Sequence, residues 1–541
     1  MNTQRELHGS FVQFECPSVI LQFVGLGYEQ EAVRMINLFF PVAAVTVYQP
    51  NERSNGERNE VLTITVDLSV VGKNVYAVAS VAVKRMNGTC MHANGALYEV
   101  RSRSLALAPN ITPVQTRRLA KRAMLYALHE SLAAFMGRGQ PWGILTGVRP
   151  GKLAHALLQR ETSQADATLA RELRAMYRID ETRARLLVEI AQREVAVVPD
   201  LYKLKQREVS VYIGIPFCPT HCAYCTFPAY SMVDKARYAD RFLPAMAREI
   251  RMVGKLLREY QVPVTTVYIG GGTPTSLKAK ELGVLLEQVA RELPGHGSWR
   301  EFCVEAGRAD TITPDRVTVL KEFGVDRVSV NPQSFRAQTL KMIGRGHSPE
   351  IVDKRFLLFR EAGFTNINMD LILGLPGETK SDVAYSIERT LQLAPDAITV
   401  HTLSFKRAAQ VTDHREQYAI AEDMEVFDMM NYVAGQVIEA GYLPYYLYRQ
   451  KDILANLENI GYAKPGKEGI YNICIIEEMQ TIIGIGGGAA SKWVMPDGSI
   501  SQHQNASEPS AYIAHLNEML AKKELALRKV LSAIAAFGHL A

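Results

Sequence analysis

An α/β fold is expected of this chain: an incomplete (β/α)6 barrel over residues 201–410, an N-terminal α+β domain at 1–200, and a mainly helical C-terminal extension at 411–541. Three observations predict it. Strand-like and helix-like segments alternate through the middle of the chain, and such alternation implies parallel strands joined by crossover helices. Glycines and isolated polar residues fall at the carboxyl ends of those strands, where barrel-like α/β folds keep their chemistry. The 541 residues also exceed what one hydrophobic core organises, so two or three domains are expected.

In the N-terminal part, VLTITVDLSV and NVYAVASVAV flank the turn-prone Gly72-Lys73-Asn74, and residues 113–137 carry apolar side chains at helical spacing. Two further helices are predicted over 161–196, and VPDLYKLKQREV leads into the next domain near residue 200. Barrel strands are predicted at 209–215, 264–270, 301–305, 326–331, 366–373 and 396–402, with helices at 237–259, 278–293, 314–323, 349–362 and 380–393. From about 415 onward come helices and a glycine run, read as an extension that completes the substrate site.

The composition, 47% hydrophobic and 22% charged, is that of a globular protein rather than a disordered or collagen-like chain. A net charge of +5 spread over the whole chain gives no warrant for a nucleic-acid or lipid-surface partner. No run reaches the roughly 18 apolar residues of a membrane span, and MNTQRELHGSFVQFE lacks a signal-peptide layout, so a cytoplasmic monomer is expected.

Of seven cysteines, Cys16, Cys90, Cys303 and Cys474 stand alone, whereas Cys218, Cys222 and Cys225 form Cys-x3-Cys-x2-Cys in the loop after the first barrel strand. Thiolates suit iron–sulfur clusters, and this spacing lets one loop wrap three corners of a [4Fe–4S] cubane. The fourth iron is then free to bind S-adenosylmethionine (SAM) and start radical chemistry. Structural zinc, with His221 as a fourth ligand, lacks the usual finger spacing, and an electron-transfer cluster would want a fourth nearby cysteine. Tyr224 is placed to face an adenine. The strand end Gly270-Gly271-Gly272-Thr273-Pro274 permits close backbone approach to a ligand, and Glu305, Gln333, Arg345 and Asp370 are polar groups read as lying at or just beyond strand ends. A later run, TIIGIGGGAASK, has no supporting βαβ unit for a dinucleotide. Pro150 restrains the turn Gly147-Val148-Arg149, whose arginine could meet an anion.

These segments resemble the oxygen-independent coproporphyrinogen III oxidase family of radical SAM proteins, closely over about 205–405. ILTGVRPGKLAH, YYLYRQKDILANLENIGYA and YNICIIEEMQTIIGIGGGAASK look nearest to its long-chain branch, the coproporphyrinogen dehydrogenases. The resemblance implies a radical SAM barrel in which Cys218, Cys222 and Cys225 hold the cluster, and Tyr212, Gly271, Gly272, Thr273, Glu305, Gln333, Arg345 and Asp370 bind SAM, with Ser404 and Ile485 as weaker carry-overs. It implies oxidative decarboxylation of two propionates of coproporphyrinogen III to protoporphyrinogen IX in heme biosynthesis, with two SAM consumed and an electron donor and acceptor as partners. Lys406, Arg407 and Arg449 are candidates to hold the propionates. The family's Cys-x3-Cys-x2-Cys-x-Cys is incomplete here, because Thr226 and Phe227 follow Cys225. Relatives lacking that cysteine include heme-binding chaperones, and radical SAM methyltransferases are also similar, so three functions stay open. His347 and His401 are conceivable heme ligands and receive no role.

Overall fold

The computed structural model describes residues 18–25, 27–40, 44–48, 60–71, 74–85, 90–91, 98–102, 112–160, 166–225, 227, 230–405, 409–413 and 417–538. Gly72, Lys73, Cys16, Thr226, Lys406 and Arg407 lie outside the described residues. The chain forms two compact units, one of residues 1–146 with 170–184 and one of 147–169 with 185–541. Residues 147–169 and 185–200, read from the sequence as part of the N-terminal domain, therefore lie in the second unit.

The first unit is built on strands β1 (Ser18–Gly25), β2 (Ala44–Tyr48), β3 (Glu60–Val71), β4 (Asn74–Arg85), β5 (Cys90–Met91) and β6 (Tyr98–Ser102), with helices α1 (Glu29–Phe39) and α2 (Pro113–Met136). β3 and β4 pair as the expected hairpin, β1 runs parallel to β2 and β3, and β5 and β6 pair with β4. Thr112 and Gln115 cap α2 reciprocally, Pro113 opens it, and Gly137 ends it at φ 68°. The apolar face of α2 joins the sheet residues in one core, and Ser131 donates to the Ala79 carbonyl at 2.8 Å.

Helices α3 (Gly151–Leu158), α4 (Asp166–Tyr177) and α5 (Glu181–Val197) precede the barrel. All six expected strands form, as β7 (Val209–Ile215), β10 (Val264–Gly271), β11 (Glu301–Glu305), β12 (Arg327–Ser329), β13 (Ile367–Leu373) and β14 (Ala397–Thr402). Two short strands, β8 (Phe217–Cys218) and β9 (Tyr230–Ser231), bracket the cysteine loop. The crossover helices are α6 (Met232–Glu259), α7 (Ala279–Glu292), α8 (Pro314–Glu322), α9 (Ala337–Met342), α10 (Pro349–Glu361) and α11 (Lys380–Leu393).

The six strands lie side by side in chain order, all parallel, as an incomplete barrel requires. The extension carries helices α12 (Gln410–Asp413), α13 (Asp423–Glu439), α14 (Ile470–Glu477), α15 (Pro509–Ala514) and α16 (Leu516–Gly538). It also adds five strands unmarked in the sequence reading: β15 (Leu443–Tyr448), β16 (Asn459–Ala463), β17 (Thr481–Gly486), β18 (Ala490–Val494) and β19 (Ile500–Gln504). β16 and β15 continue the sheet beyond β14, while β17 runs parallel to β7 at the other end, followed by β18 and β19. Among the described residues the sheet has eleven strands and edges at β15 and β19.

Alternation sorts the side chains of each strand between two faces. Val209, Val211, Ile213 and Ile215 of β7, Val267 and Ile269 of β10, and Ile483 and Ile485 of β17 join the apolar core that includes Phe242, Met246 and Ile250 of α6. The alternate residues form the opposite face. No helix among the described residues is long and apolar enough to cross a membrane.

Candidate active site

The cysteine loop hangs from the glycine run. β7 stops at Ile215, and Gly272 N donates to the Ile215 carbonyl (2.8 Å) while Thr273 N donates to that of Phe217 (2.7 Å). A Cβ on Gly272 would stand 2.5 Å from the Phe217 oxygen, and Gly271 has φ 106°, so what these glycines approach closely is the chain's own backbone. Thr273 Oγ1 lies 3.3 Å from Cys218 Sγ. Farther along, Ala223 N donates to the Ile343 carbonyl at 3.0 Å. Arg308 is gripped by both oxygens of Asp310 (3.1 and 2.9 Å) and points Nη1 at Thr220 Oγ1 (2.8 Å) and Cys222 Sγ (3.7 Å). The guanidinium thus offers positive charge to a thiolate.

The thiols of Cys218 and Cys225 are half-buried and that of Cys222 is buried; burial pushes Cys218 up to about 11, so a metal has to displace its proton.

Beside this loop the inner face of the sheet is polar. β7, β10, β11, β13 and β14 each have a residue here that stays partly accessible while its neighbours are buried: Tyr212, Tyr268, Glu305, Asp370 and His401. Tyr448 of β15 joins them. Tyr212, Tyr268 and Tyr471 of α14 stack, the last two with ring centres 4.4 Å apart. Glu305 accepts from the Tyr268 hydroxyl and from Gly271 N (3.3 Å). Burial pushes its carboxyl up to about 7, with Asp370 adding to the rise and the two hydrogen bonds opposing it.

Asp370 is not at or beyond a strand end, as read from the sequence, but in the middle of β13, whose observed bounds match the predicted 366–373 run. It accepts from Asn368 Nδ2 (2.7 Å) and faces His401 Nε2 (3.6 Å), whose Nδ1 meets the Tyr448 hydroxyl at 3.3 Å. Burial raises the Asp370 carboxyl, yet the facing His401 imidazole and the hydrogen bond from Asn368 outweigh it and hold the group below its ordinary value.

Gln333 sits at φ 66°, a conformation costly for a side chain other than glycine, fixed by backbone bonds to Asp370 (2.9 Å) and Ile372 (3.0 Å) of β13. Its Oε1, Oδ1 of Asn331 and Nε of Arg345 are buried without a hydrogen-bond partner. Arg345 itself holds the carbonyls of Asn331 (3.0 Å) and Gly307 (3.4 Å), with the half-buried Tyr224 near enough to influence its charge. Native structures rarely leave such atoms unsatisfied, and unpaired groups close to the thiols fit a polar cofactor.

The two weaker carry-overs are engaged elsewhere in the second unit. Ser404 bonds the Lys451 carbonyl (2.9 Å), and Ile485 is fully buried in the apolar core, paired with Ile213. Arg449 is buried, its guanidinium on Asn456. His347 is buried beside Asp310, Nδ1 to Oδ1 3.9 Å. The sequence reading missed Tyr268, Tyr448 and Tyr471; strand parity with Gly270 would have put Tyr268 on the inner face, but nothing local marks Tyr471.

The Radical SAM superfamily profile matches residues 212–390. The oxygen-independent coproporphyrinogen-III oxidase-like protein HemZ of Bacillus subtilis (strain 168) is 48% identical over 406 residues, 75% of this chain and 80% of that protein. The heme chaperone HemW of the same organism is 38% identical over 194 residues, 36% of this chain and 50% of its own length. The solved coproporphyrinogen III oxidase (HemN) of Escherichia coli shares 22% identity at a TM-score of 0.48, over 61% of this chain and 73% of that one.

Proposed function

Because this chain belongs to the oxygen-independent coproporphyrinogen-III oxidase-like family of radical SAM proteins, we propose that it decarboxylates two propionates of coproporphyrinogen III oxidatively, giving protoporphyrinogen IX. The observation that carries the reading is the extent of the 48% identity: 406 aligned residues reach well past the 212–390 span common to the superfamily. Membership implies a [4Fe–4S] cluster and SAM, which when bound supply an electron and a radical that abstracts hydrogen.

Cys218, Cys222 and Cys225 would hold the cluster, with Arg308 offsetting thiolate charge at Cys222. The Glu305 carboxylate and the backbone carbonyls of the Gly271–Thr273 run would receive the ammonium of SAM, while Gln333 and Arg345 would use their unpaired atoms on its remaining polar groups. Tyr224 would lie against the adenine. Tyr212, Tyr268 and Tyr471 floor the site with stacked rings that exclude water. Asp370, His401 and Tyr448 form the remaining polar wall, open to the porphyrinogen. The reaction consumes one SAM per propionate and passes one electron per decarboxylation to an acceptor.

Heme delivery is a second reading, favoured by the 38% identity to a heme chaperone and by Thr226 and Phe227 after Cys225. Anaerobic incubation of the reconstituted protein with SAM, reductant and coproporphyrinogen III, read by mass spectrometry, separates the readings. Protoporphyrinogen IX, CO₂ and 5′-deoxyadenosine are expected. Stoichiometric heme uptake without CO₂ release would transfer the assignment to heme delivery, and S-adenosylhomocysteine would indicate methyl transfer.

A further inference from the structure

Away from the sheet's polar face, three helices of the second unit bring His155 (α3), Glu194 (α5) and Glu477 (α14) together out of solvent. Their side chains are 1% or less exposed, and one ligand atom from each lies within 4.8 Å of the others. His155 Nε2 is 2.6 Å from Glu194 Oε2 and 3.9 Å from Glu477 Oε2, and its Nδ1 meets the Tyr202 hydroxyl at 2.9 Å. Glu194 Oε1 and both oxygens of Glu477 have no hydrogen-bond partner.

Three unpaired carboxyl oxygens in a sealed site call for a proton or a compensating positive group. The nearby cations make their ion pairs elsewhere: Arg149 (3.2 Å), Lys492 (2.9 Å) and Lys152 all contact the adjacent Glu478, and Arg149 and Lys152 reach Glu477 only as charges, without a hydrogen bond to it. Space is set by Gly151, where a Cβ would stand 2.3 Å from Glu477 Oε1. Arg149, singled out in the sequence for meeting an anion, thus meets Glu478, while the glycine of the same segment makes room for Glu477.

We propose that His155, Glu194 and Glu477 bind a divalent first-row transition ion. One imidazole and two carboxylates suit Zn²⁺, Mn²⁺ or Fe²⁺, whereas Mg²⁺ and Ca²⁺ prefer oxygen alone. The two carboxylates balance the ion's charge, and Tyr202 orients the imidazole from its far side, as outer partners of metal-bound histidines do. The ion clamps α14, which carries Tyr471 of the tyrosine stack and leads into β17.

The test uses the full chain with Cys218, Cys222 and Cys225 changed to serine, stripped with a chelator and titrated with Zn²⁺ against a chromophoric competitor. One equivalent bound and a rise in Tm with Zn²⁺ are expected, with affinity falling more than tenfold in Glu477→Gln and in His155→Leu. X-ray absorption of the bound zinc is expected to show nitrogen and oxygen ligands only, including imidazole; this readout stands even where a variant does not fold. Binding below a tenth of an equivalent, affinity unchanged in a folded Glu477→Gln protein, or sulfur in the zinc shell would each overturn the site.

Discussion

Gly272→Ala probes the suspension of the cysteine loop on the glycine run. The new methyl group would stand 2.5 Å from the Phe217 carbonyl oxygen and 2.9 Å from that of Ile215, where ordinary contact begins at 3.4 Å. Both obstacles are backbone, so the β7–β8 connection has to move by most of an ångström, and Cys218 moves with it. Overpacking of this kind costs about 1–3 kcal/mol. The bonds from Gly272 N and Thr273 N lengthen as well, at roughly 0.5–1.5 kcal/mol each, for about 2–6 kcal/mol in all.

The second unit has about 380 residues, so its unfolding entropy is about 0.8 kcal/mol/K and the expected fall in Tm is about 3–7 °C. Calorimetry gives the Tm, and iron per chain after anaerobic reconstitution gives the effect on the cluster, expected to drop by more than half. Gly435→Ala is the control: Gly435 is inside α13 with no atom within 4 Å of an added Cβ, so alanine should raise stability by about 0.5–1 kcal/mol. A Gly272→Ala protein with parental Tm and full iron content would refute the suspension.

Three further outcomes are expected. Glu249 and Lys523 are a fully buried ion pair that also engages Asn505 (2.9 Å), Tyr512 and Gly486 N (2.9 Å), tying α16 and the β17 glycines to α6. Lys523→Met should cost about 3–5 kcal/mol, or about 4–6 °C, and Glu249→Gln with Lys523→Met much less; equal losses by calorimetry would show that the charge is irrelevant. For Glu305, the folded carboxyl titrates near 7 and the unfolded one near 4.3, so the native state binds the extra proton between these values and stability falls as pH rises through that window. Glu305→Gln should flatten this part of the Tm–pH curve. SAM affinity should rise with pH through about 7 as the carboxylate forms, and equilibrium binding to Glu305→Gln should be weaker and independent of pH there; the same pH dependence in that variant would remove Glu305 from the SAM site.

The barrel is legible in the chain because its cues are local. Each parallel strand is a short β-rich run bounded by turn residues, and each crossover helix repeats its own period, as Thr379 and Asp382 capping α11 also illustrate. The Cys-x3-Cys-x2-Cys spacing is equally local, since one loop supplies all three thiols. The position of Asp370 is less legible: read as lying at or just beyond a strand end, it sits in the middle of β13, on the inner face.

By itself, then, the sequence determined the order of the barrel strands and crossover helices and the cysteine loop. Tertiary structure alone decided that β17 pairs with β7, that Tyr471 completes the stack on Tyr212 and Tyr268, that Lys523 neutralises Glu249, and that His155, Glu194 and Glu477 converge. The reason is separation along the chain. Periodicity and capping act within a turn or a strand, whereas these partners meet only after the barrel has formed and buried them, and burial is what gives a distant charge or hydroxyl its partner.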